Sequence, residues 1–199
     1  PGVHSMDIGA GFSKPVIRGL GFNRIAVSEN GIKQEGQQWG SDHGLEIDAF
    51  NIDEVRVRKG PASLLFGSDA MGGVIEVLPP VTPILNGLAG EAVLLGKTVN
   101  GTLGGSLMLG WKRGAWYVKG RYSEQRYGDY RVPTDTVVYL TQKMPVYGRR
   151  LKNTAGVERN ASLFSAYARG HYRMNVALSN AYQKMGFFAG AHGVPDLAR

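Results

Sequence analysis

The chain has 199 residues, no cysteine and a formal net charge of +7, so disulfides and thiolate metal sites are excluded. It contains no run of 18 or more apolar residues, which excludes a transmembrane helix. Residues 1–84 hold 7 Lys and Arg against 10 Asp and Glu, a net charge of −3, whereas residues 85–199 hold 16 against 6, a net charge of +10. This asymmetry predicts two regions with different surroundings.

The first 80 residues predict a compact α+β domain. Four apolar runs have the length and the β-branched content of strands, at residues 15–17, 24–27, 54–57 and 74–77. Between the last two runs, Pro61 stands where a short helix would begin and Gly67 where it would end. A cluster of prolines follows and predicts a linker over residues 81–87.

From residue 88 to residue 199 the pattern changes to a period of two. Strands of about ten residues with one apolar and one polar face are typical of a membrane β-barrel. The connections after the first hairpin alternate between short turns and one long insertion at residues 126–157, which is the pattern of outer-membrane barrels. A soluble sheet with one wet face has the same alternation, so both interpretations stay open on the pattern alone.

The alternation also predicts which side chains face lipid and which face the lumen of such a barrel. The predicted lipid-facing residues are Leu103, Leu107, Leu109, Trp116, Val118, Phe164 and Val176. The predicted lumen-facing residues are Ser106, Lys119, Arg121, Ser165, Arg169 and Arg173.

The stretch ENGIKQEGQQWGSDHG at residues 29–44 is the most unusual loop of the chain. Asn30-Gly31 is a hairpin signal, and the polar run after it ends in the adjacent pair Asp42-His43. A carboxylate and an imidazole are ligands suited to Zn²⁺. Such a pair is also common in turns and helix caps, so the residues alone leave both interpretations open.

Motifs of other functional classes are missing from the sequence. It has no Gly-x-Ser-x-Gly elbow and no complete dinucleotide fingerprint, and its serines, histidines and aspartates form no catalytic pattern. The basic residues of the second half are dispersed singly instead of being interleaved with stacking aromatics. We therefore expect neither an enzyme nor a nucleic-acid-binding protein.

Three stretches of the first half resemble the plug domain of TonB-dependent outer-membrane receptors. They are PGV at residues 1–3, PVIRGLGFNRIAVSENGI at 15–32 and IDEVRVRKGPASLLFGSDAMGGVIEV at 52–77. The second half resembles the early barrel strands of the same family more loosely. The resemblance implies a plug at residues 1–80 with its N-terminal part missing, a linker at 81–87 and the first portion of the barrel at 88–199. The complete family barrel has about 22 strands around the plug.

The resemblance further implies energy-coupled import of a scarce nutrient across the outer membrane of a Gram-negative bacterium. The TonB–ExbB–ExbD complex would be the partner, acting through a segment that would precede Pro1, and outer-membrane lipid or lipopolysaccharide would surround the barrel. No cofactor is expected, because a metal such as zinc would be bound as the transported ligand. A siderophore receptor is the alternative, and a surface module that binds a bacteriocin or phage through residues 126–157 is a rival of another class.

In the plugs that this sequence resembles, the loop after the Asn-Gly hairpin faces the incoming ligand. The resemblance therefore makes Gln37, Gln38 and Trp39 expected ligand contacts. Asp42 and His43 resemble an adjacent pair in zinc-importing members, and His192 is a further metal ligand candidate. The resemblance also suggests plug–barrel contacts, and these are assigned to Arg18, Arg56 and Arg58. Solvated arginines on the surface of a sheet are the alternative for that last group.

Overall fold

The computed structural model of the chain describes residues 2–7, 13–35, 46–60, 65–139 and 141–186. Fifteen strands occur in these residues, and they fall into two groups separated by residues 78–86. The strands of the N-terminal unit (the described part of residues 2–78) are β1 Val3–Asp7, β2 Ser13–Ile17, β3 Ile25–Glu29, β4 Ile32–Lys33, β5 Val55–Arg58 and β6 Gly73–Val77. The remaining strands are β7 Gly87–Lys97, β8 Thr102–Arg113, β9 Trp116–Tyr127, β10 Tyr130–Arg131, β11 Thr136–Tyr139, β12 Gln142–Pro145, β13 Arg150–Leu151, β14 Gly156–Arg169 and β15 Tyr172–Met185.

The N-terminal unit contains a four-stranded sheet in the order β4-β3-β6-β5. β3 and β6 run parallel, which requires the long crossover through residues 46–70, and the other two pairs are antiparallel. The helical residues described here are short 3-10 turns, as at Ala49–Asn51 and Ser68–Ala70. The four apolar runs predicted as strands coincide with β2, β3, β5 and β6, which confirms these strands as expected from the sequence.

The core of this unit is small and apolar. Ile17, Ala26 and Val74 are completely inaccessible to solvent, and Ile25 is nearly so. Gly73 begins β6 with a φ of +140°, and a Cβ atom there would lie 2.7 Å from the carbonyl oxygen of Arg58. Only glycine therefore permits β5 and β6 to approach each other at this point.

The second group forms one large antiparallel sheet (β7, β8, β9, β14 and β15) in the order β15-β14-β9-β8-β7. Its strands are 11 to 14 residues long, and consecutive strands are neighbours, as expected for a barrel wall. Short turns at residues 98–101, 114–115 and 170–171 join three of the pairs. The long connection between β9 and β14 carries the two small hairpin ladders β10–β13 and β11–β12.

The two faces of the large sheet differ in composition. Leu103, Leu107 and Leu109 are exposed on what we call the outer face. Ser106, Lys119, Arg121 and Ser123 are buried on the opposite, inner face, where the N-terminal unit covers part of the sheet. The pairing registers also place Trp116, Val118 and Val176 on the outer face and Arg173 on the inner face, as predicted.

On β14 the predicted faces are wrong. Phe164 is buried on the inner face, where its ring lies 6.3 Å from the ring of Tyr117, centroid to centroid. Ser165 and Arg169 lie on the outer face, because they pair with Val118 and Tyr172 respectively. The prediction failed because a shift of one residue moves every side chain of a strand to the other face.

Within the described ranges of the chain, no helix is long and apolar enough to cross a membrane.

The assignment of the two faces predicts different tolerance to charge. Leu178 is exposed on the outer face in the middle of β15, and Asn175 is on the inner face of the same strand. Leu178→Arg should cost about 2–4 kcal/mol of unfolding free energy in lipid vesicles, because a guanidinium would then contact hydrocarbon. Asn175→Arg should cost distinctly less. Urea unfolding of the intact protein in vesicles measures both, and equal losses would contradict the assignment.

Candidate ligand loop and plug–barrel interface

The hairpin that leads into the unusual loop is formed as the sequence predicts. Asn30 and Gly31 have φ values of +52° and +83°, and Glu29 pairs with Ile32 across the turn. Two successive residues with positive φ are the signature of a type I′ hairpin turn, for which Asn-Gly is the favoured sequence. Lys33 of β4 forms an ion pair of 2.6 Å with Asp69, so this end of the loop is attached to the turn before β6.

The residues predicted to bind the ligand lie outside the described residues. This applies to Gln37, Gln38 and Trp39, to Asp42 and His43, and to His192. Their roles therefore stay predictions. Among the residues that the structure does describe, no group of three or more His, Cys, Asp or Glu side chains could hold a metal ion.

The other end of the loop returns to the N-terminal unit at Asp48. The Oδ1 atom of Asp48 accepts a hydrogen bond of 3.0 Å from the backbone N–H of Phe50 and caps the turn Ala49–Asn51. Its Oδ2 atom is buried and has no hydrogen-bond partner in the described structure. Burial, and secondarily the charge of Asp48, raise the pKa of Glu29 above its ordinary value. Two carboxyl groups, those of Glu29 and Asp48, therefore lie close enough to repel each other when both are ionised.

An ion pair between a buried lysine and a partly exposed aspartate connects the N-terminal unit to the large sheet. Lys119 Nζ on β9 lies 2.7 Å from Oδ1 and 2.8 Å from Oδ2 of Asp53, which precedes β5. The Lys119 side chain is only 4% exposed, so its charge depends on this single carboxylate for compensation. The inner face would otherwise bury an unpaired ammonium group at this point.

A crevice of about 280 Å³ lies between the two parts of the molecule next to this ion pair. Apolar side chains such as Val27 and Ile75 line it on the side of the N-terminal unit, and Gln125, Glu158 and Gln183 line it on the side of the large sheet. Gln125 Nε2 donates a hydrogen bond of 2.7 Å to Glu158. A hydrogen bond within the large sheet therefore holds part of the polar wall, while the opposite wall is mostly apolar.

The three arginines predicted to contact the barrel have their observed partners within the N-terminal unit. The backbone N–H of Arg18 donates to the carbonyl oxygen of Gly2 at 2.7 Å, and its side chain is exposed. Arg56 pairs with Glu54 at 3.3 Å, and Arg58 Nε donates to Glu76. Contacts with acidic residues elsewhere in a barrel wall stay a prediction. Sequence reasoning missed Asp53, because an aspartate in a short connection before a strand resembles any surface turn residue.

Comparison with known proteins identifies the class of domain to which this geometry belongs. Residues 1–74 match the family model of the TonB-dependent receptor plug domain. The chain is 35% identical over 80 residues to the ferrioxamine B receptor of Salmonella typhimurium, covering 39% of this chain and 11% of that receptor. It is 29% identical over 122 residues to the vitamin B12 transporter BtuB of Photobacterium profundum, covering 58% and 19% of the two chains.

A solved structure with a similar fold is that of the copper transporter OprC. The TM-score is 0.73 and the sequence identity is 17%, and the match covers 96% of this chain and 28% of the OprC chain. At this identity the likeness concerns the fold alone. Residues 1–74 thus match a plug domain, the receptor matches cover only 11–19% of those relatives, and the structural match covers 28% of OprC.

The Asp53–Lys119 ion pair predicts an asymmetric response to mutation. Asp53→Asn should destabilise the seating of the N-terminal unit by about 3 kcal/mol, the low end of the loss for a buried pair, because Lys119 loses its counter-charge but Asp53 is 35% exposed to screening water. The double variant Asp53→Asn/Lys119→Met should recover most of that loss. Limited proteolysis of the N-terminal unit in the intact receptor measures the effect. The control is Glu54→Gln, which breaks the exposed pair with Arg56 and should change stability by no more than about 1 kcal/mol. If the double variant is cleaved by the protease as fast as Asp53→Asn, the two residues are not energetically coupled.

The raised pKa of Glu29 predicts a dependence of stability on pH. A carboxyl group whose pKa is raised in the folded state favours folding when it is protonated. That contribution is complete below the pKa of the unfolded chain, 4.5, and is lost as the pH rises through the higher pKa of the folded protein. Glu29→Gln should therefore stabilise the N-terminal unit at about pH 8 and have little effect at about pH 4. The measurement is urea unfolding of the receptor at the two pH values. The control is Glu35→Gln, because Glu35 is exposed two residues after β4. An equal gain at both pH values would contradict the interpretation.

Proposed function

We propose that this chain is part of a TonB-dependent receptor that imports a scarce nutrient across the outer membrane of a Gram-negative bacterium. The observation that carries the proposal is the seating of a plug-type unit on the polar face of an antiparallel sheet through Asp53 and Lys119. A sheet with an apolar outer face and a polar, covered inner face suits a barrel that stands in lipid and has a plugged lumen. Transport then requires movement of the plug and no covalent chemistry.

The partners follow from the same proposal. The TonB–ExbB–ExbD complex is the proposed source of the energy that moves the plug. Outer-membrane lipid contacts the outer face of the large sheet, where Leu103, Leu107 and Leu109 are exposed.

We propose a metal ion or a metal chelate as the cargo, with Zn²⁺ as the specific candidate. Asp42 and His43 supply one carboxylate and one imidazole, and His192 supplies a second imidazole, a ligand set suited to zinc. The half-buried carboxylate of Glu29 and the buried carboxylate of Asp48 support a cationic cargo, because two neighbouring negative charges attract a cation.

An iron–siderophore complex is the second candidate. The 35% identity over 80 residues to a receptor for ferrioxamine B favours it. Trp39 would stack on the organic chelate and Gln37 would hydrogen-bond to it, whereas His43 would contribute little.

Growth of a strain that depends on this receptor distinguishes the two cargoes. If zinc is the cargo, His43→Ala should impair growth under zinc limitation, because it removes a metal ligand. Gln37→Ala is the matched control in the same loop, because an amide is a poor zinc ligand. If an iron chelate is the cargo, Trp39→Ala should impair growth under iron limitation while His43→Ala grows normally. Normal growth of all three variants under both limitations would contradict both assignments.

The zinc assignment also predicts a dependence on pH. His43 must be neutral to coordinate a metal, so zinc binding should weaken as the pH falls through about 6.5. Isothermal titration of the purified intact receptor with Zn²⁺ measures this. In His43→Ala the remaining zinc affinity should change less steeply near that pH, because one of the two proposed imidazole ligands is gone, and an unchanged profile would exclude His43 as a ligand.

A further inference from the structure

An open groove of about 860 Å³ crosses the outer face of the large sheet near one end. Leu94 on β7, Leu103 and Leu107 on β8 and Tyr122 on β9 form its sides, and Gly105 lies on its floor. A Cβ atom on Gly105 would lie 2.8 Å from the carbonyl oxygen of Val93, so a side chain at this position is excluded by the backbone. The groove is therefore maintained by the close approach of β7 and β8 and not by flexible side chains.

The position of the groove along the strands identifies its side of the membrane. It reaches Tyr127 and Gly128, where β9 enters the long connection to β14. The turn at residues 114–115 is at the opposite end of the same strand and is short. Because outer-membrane barrels have long external loops and short periplasmic turns, the groove lies in the external leaflet if the proposed function is correct.

A cluster of charged residues borders the groove at this external end. Arg126 Nε donates a hydrogen bond of 2.8 Å and Arg159 Nε one of 3.2 Å to the same oxygen of Glu124. The hydroxyl of Tyr122 donates to the other oxygen of Glu124 at 2.9 Å. One carboxylate thus holds two guanidinium groups side by side and leaves the cluster with a net charge of +1.

The two arginines remain able to bind another anion. The side chain of Arg126 is 67% exposed and that of Arg159 is 48% exposed. A guanidinium has five N–H donors, and the contact of Arg159 with Glu124 uses only its Nε, so the terminal amino groups can contact a phosphate. The segment between the two arginines, residues 127–158, adds positive potential, because it holds five Lys and Arg against three Asp and Glu.

We propose that this groove binds a phosphorylated lipid of the external leaflet, with its acyl chains against Leu94, Leu103 and Leu107 and its phosphate on Arg126 and Arg159. The proposal rests on the proposed outer-membrane location. Charge complementarity selects the occupant: an outward-facing arginine pair is unfavourable against hydrocarbon but favourable against a lipid phosphate. The apolar groove that begins directly beside the pair suits a ligand in which acyl chains and a phosphate belong to one molecule.

The test measures binding of two purified lipids to the intact receptor in detergent by native mass spectrometry. The lipids are a bis-phosphorylated, multiply acylated glucosamine disaccharide and the same lipid after enzymatic removal of its phosphates. The wild-type receptor should bind the phosphorylated form more tightly. Arg126→Gln/Arg159→Gln should reduce that affinity by about tenfold or more, and it should leave the affinity for the dephosphorylated form unchanged.

Two control variants separate the phosphate contact from general effects of charge and hydrophobicity. Arg113→Gln removes an exposed arginine of the same sheet at the opposite end of β8, and it should leave both affinities unchanged. Leu103→Ser should weaken binding of both lipids alike, because the side of the groove loses apolar surface. Equal wild-type binding of the two lipids, or an equal loss in Arg113→Gln and in the double variant, would overturn the proposal.

The lipid-binding experiment and the tests of the proposed function can fail separately. Fractionation of cells shows whether the wild-type receptor resides in the outer membrane, and growth under nutrient limitation shows whether it imports its cargo. If it is absent from the outer membrane, the proposed function fails. If it is inserted and imports normally but shows no preference for the phosphorylated lipid, only the lipid site is wrong.

Discussion

The burial of Lys119 is the constraint on which the arrangement of the two parts depends. Alternation along β9 places this lysine on the inner face, and the approach of the N-terminal unit removes it from water. A buried ammonium group is tolerated only with a close counter-charge, and both carboxylate oxygens of Asp53 supply it. Because removing either partner is more costly than lacking both, the pair fixes where the N-terminal unit lies on the sheet more than it adds to total stability.

The ion pair also joins the acidic first part of the sequence to the basic second part. The first 84 residues are acidic, and the inner face that the N-terminal unit covers carries Lys119 and Arg121. Arg121 is neutralised within the large sheet, since its guanidinium lies 2.7 Å from Glu91 and 2.8 Å from Ser106. Lys119 therefore stands out because its partner comes from the other part of the chain. An acidic unit on a basic surface is favoured in orientation as well as in contact.

The fold could be predicted from the sequence wherever neighbouring residues differ strongly in polarity. Asn30-Gly31 determines its own turn, and β8 alternates leucines with glycine and serine, so its faces are unambiguous. β14 places Leu163 beside Phe164 and has alanines on both faces, so the pattern contains no contrast from which to choose. The contact between the rings of Phe164 and Tyr117, which lies on the neighbouring strand, instead favours the inner face for Phe164. Long-range contacts of this kind leave no local signal.

In the candidate site, too, local features could be predicted from the sequence and long-range contacts could not. The ends of the ligand loop were predictable because a turn and a cap are local features, whereas Asp53 became identifiable only when β9 was placed beside it. Arginine shows most clearly that residue type alone does not define a role. Arg121 on the inner face is buried and donates its two terminal amino groups to Ser106 and Glu91, while Arg126 and Arg159 on the outer face share one carboxylate and remain accessible. The guanidinium on the inner face thus pairs within the sheet, whereas the two on the outer face can still bind an anion from the surroundings. Side chains alternate between the two faces of a strand, so the position along the strand determines the environment of each arginine.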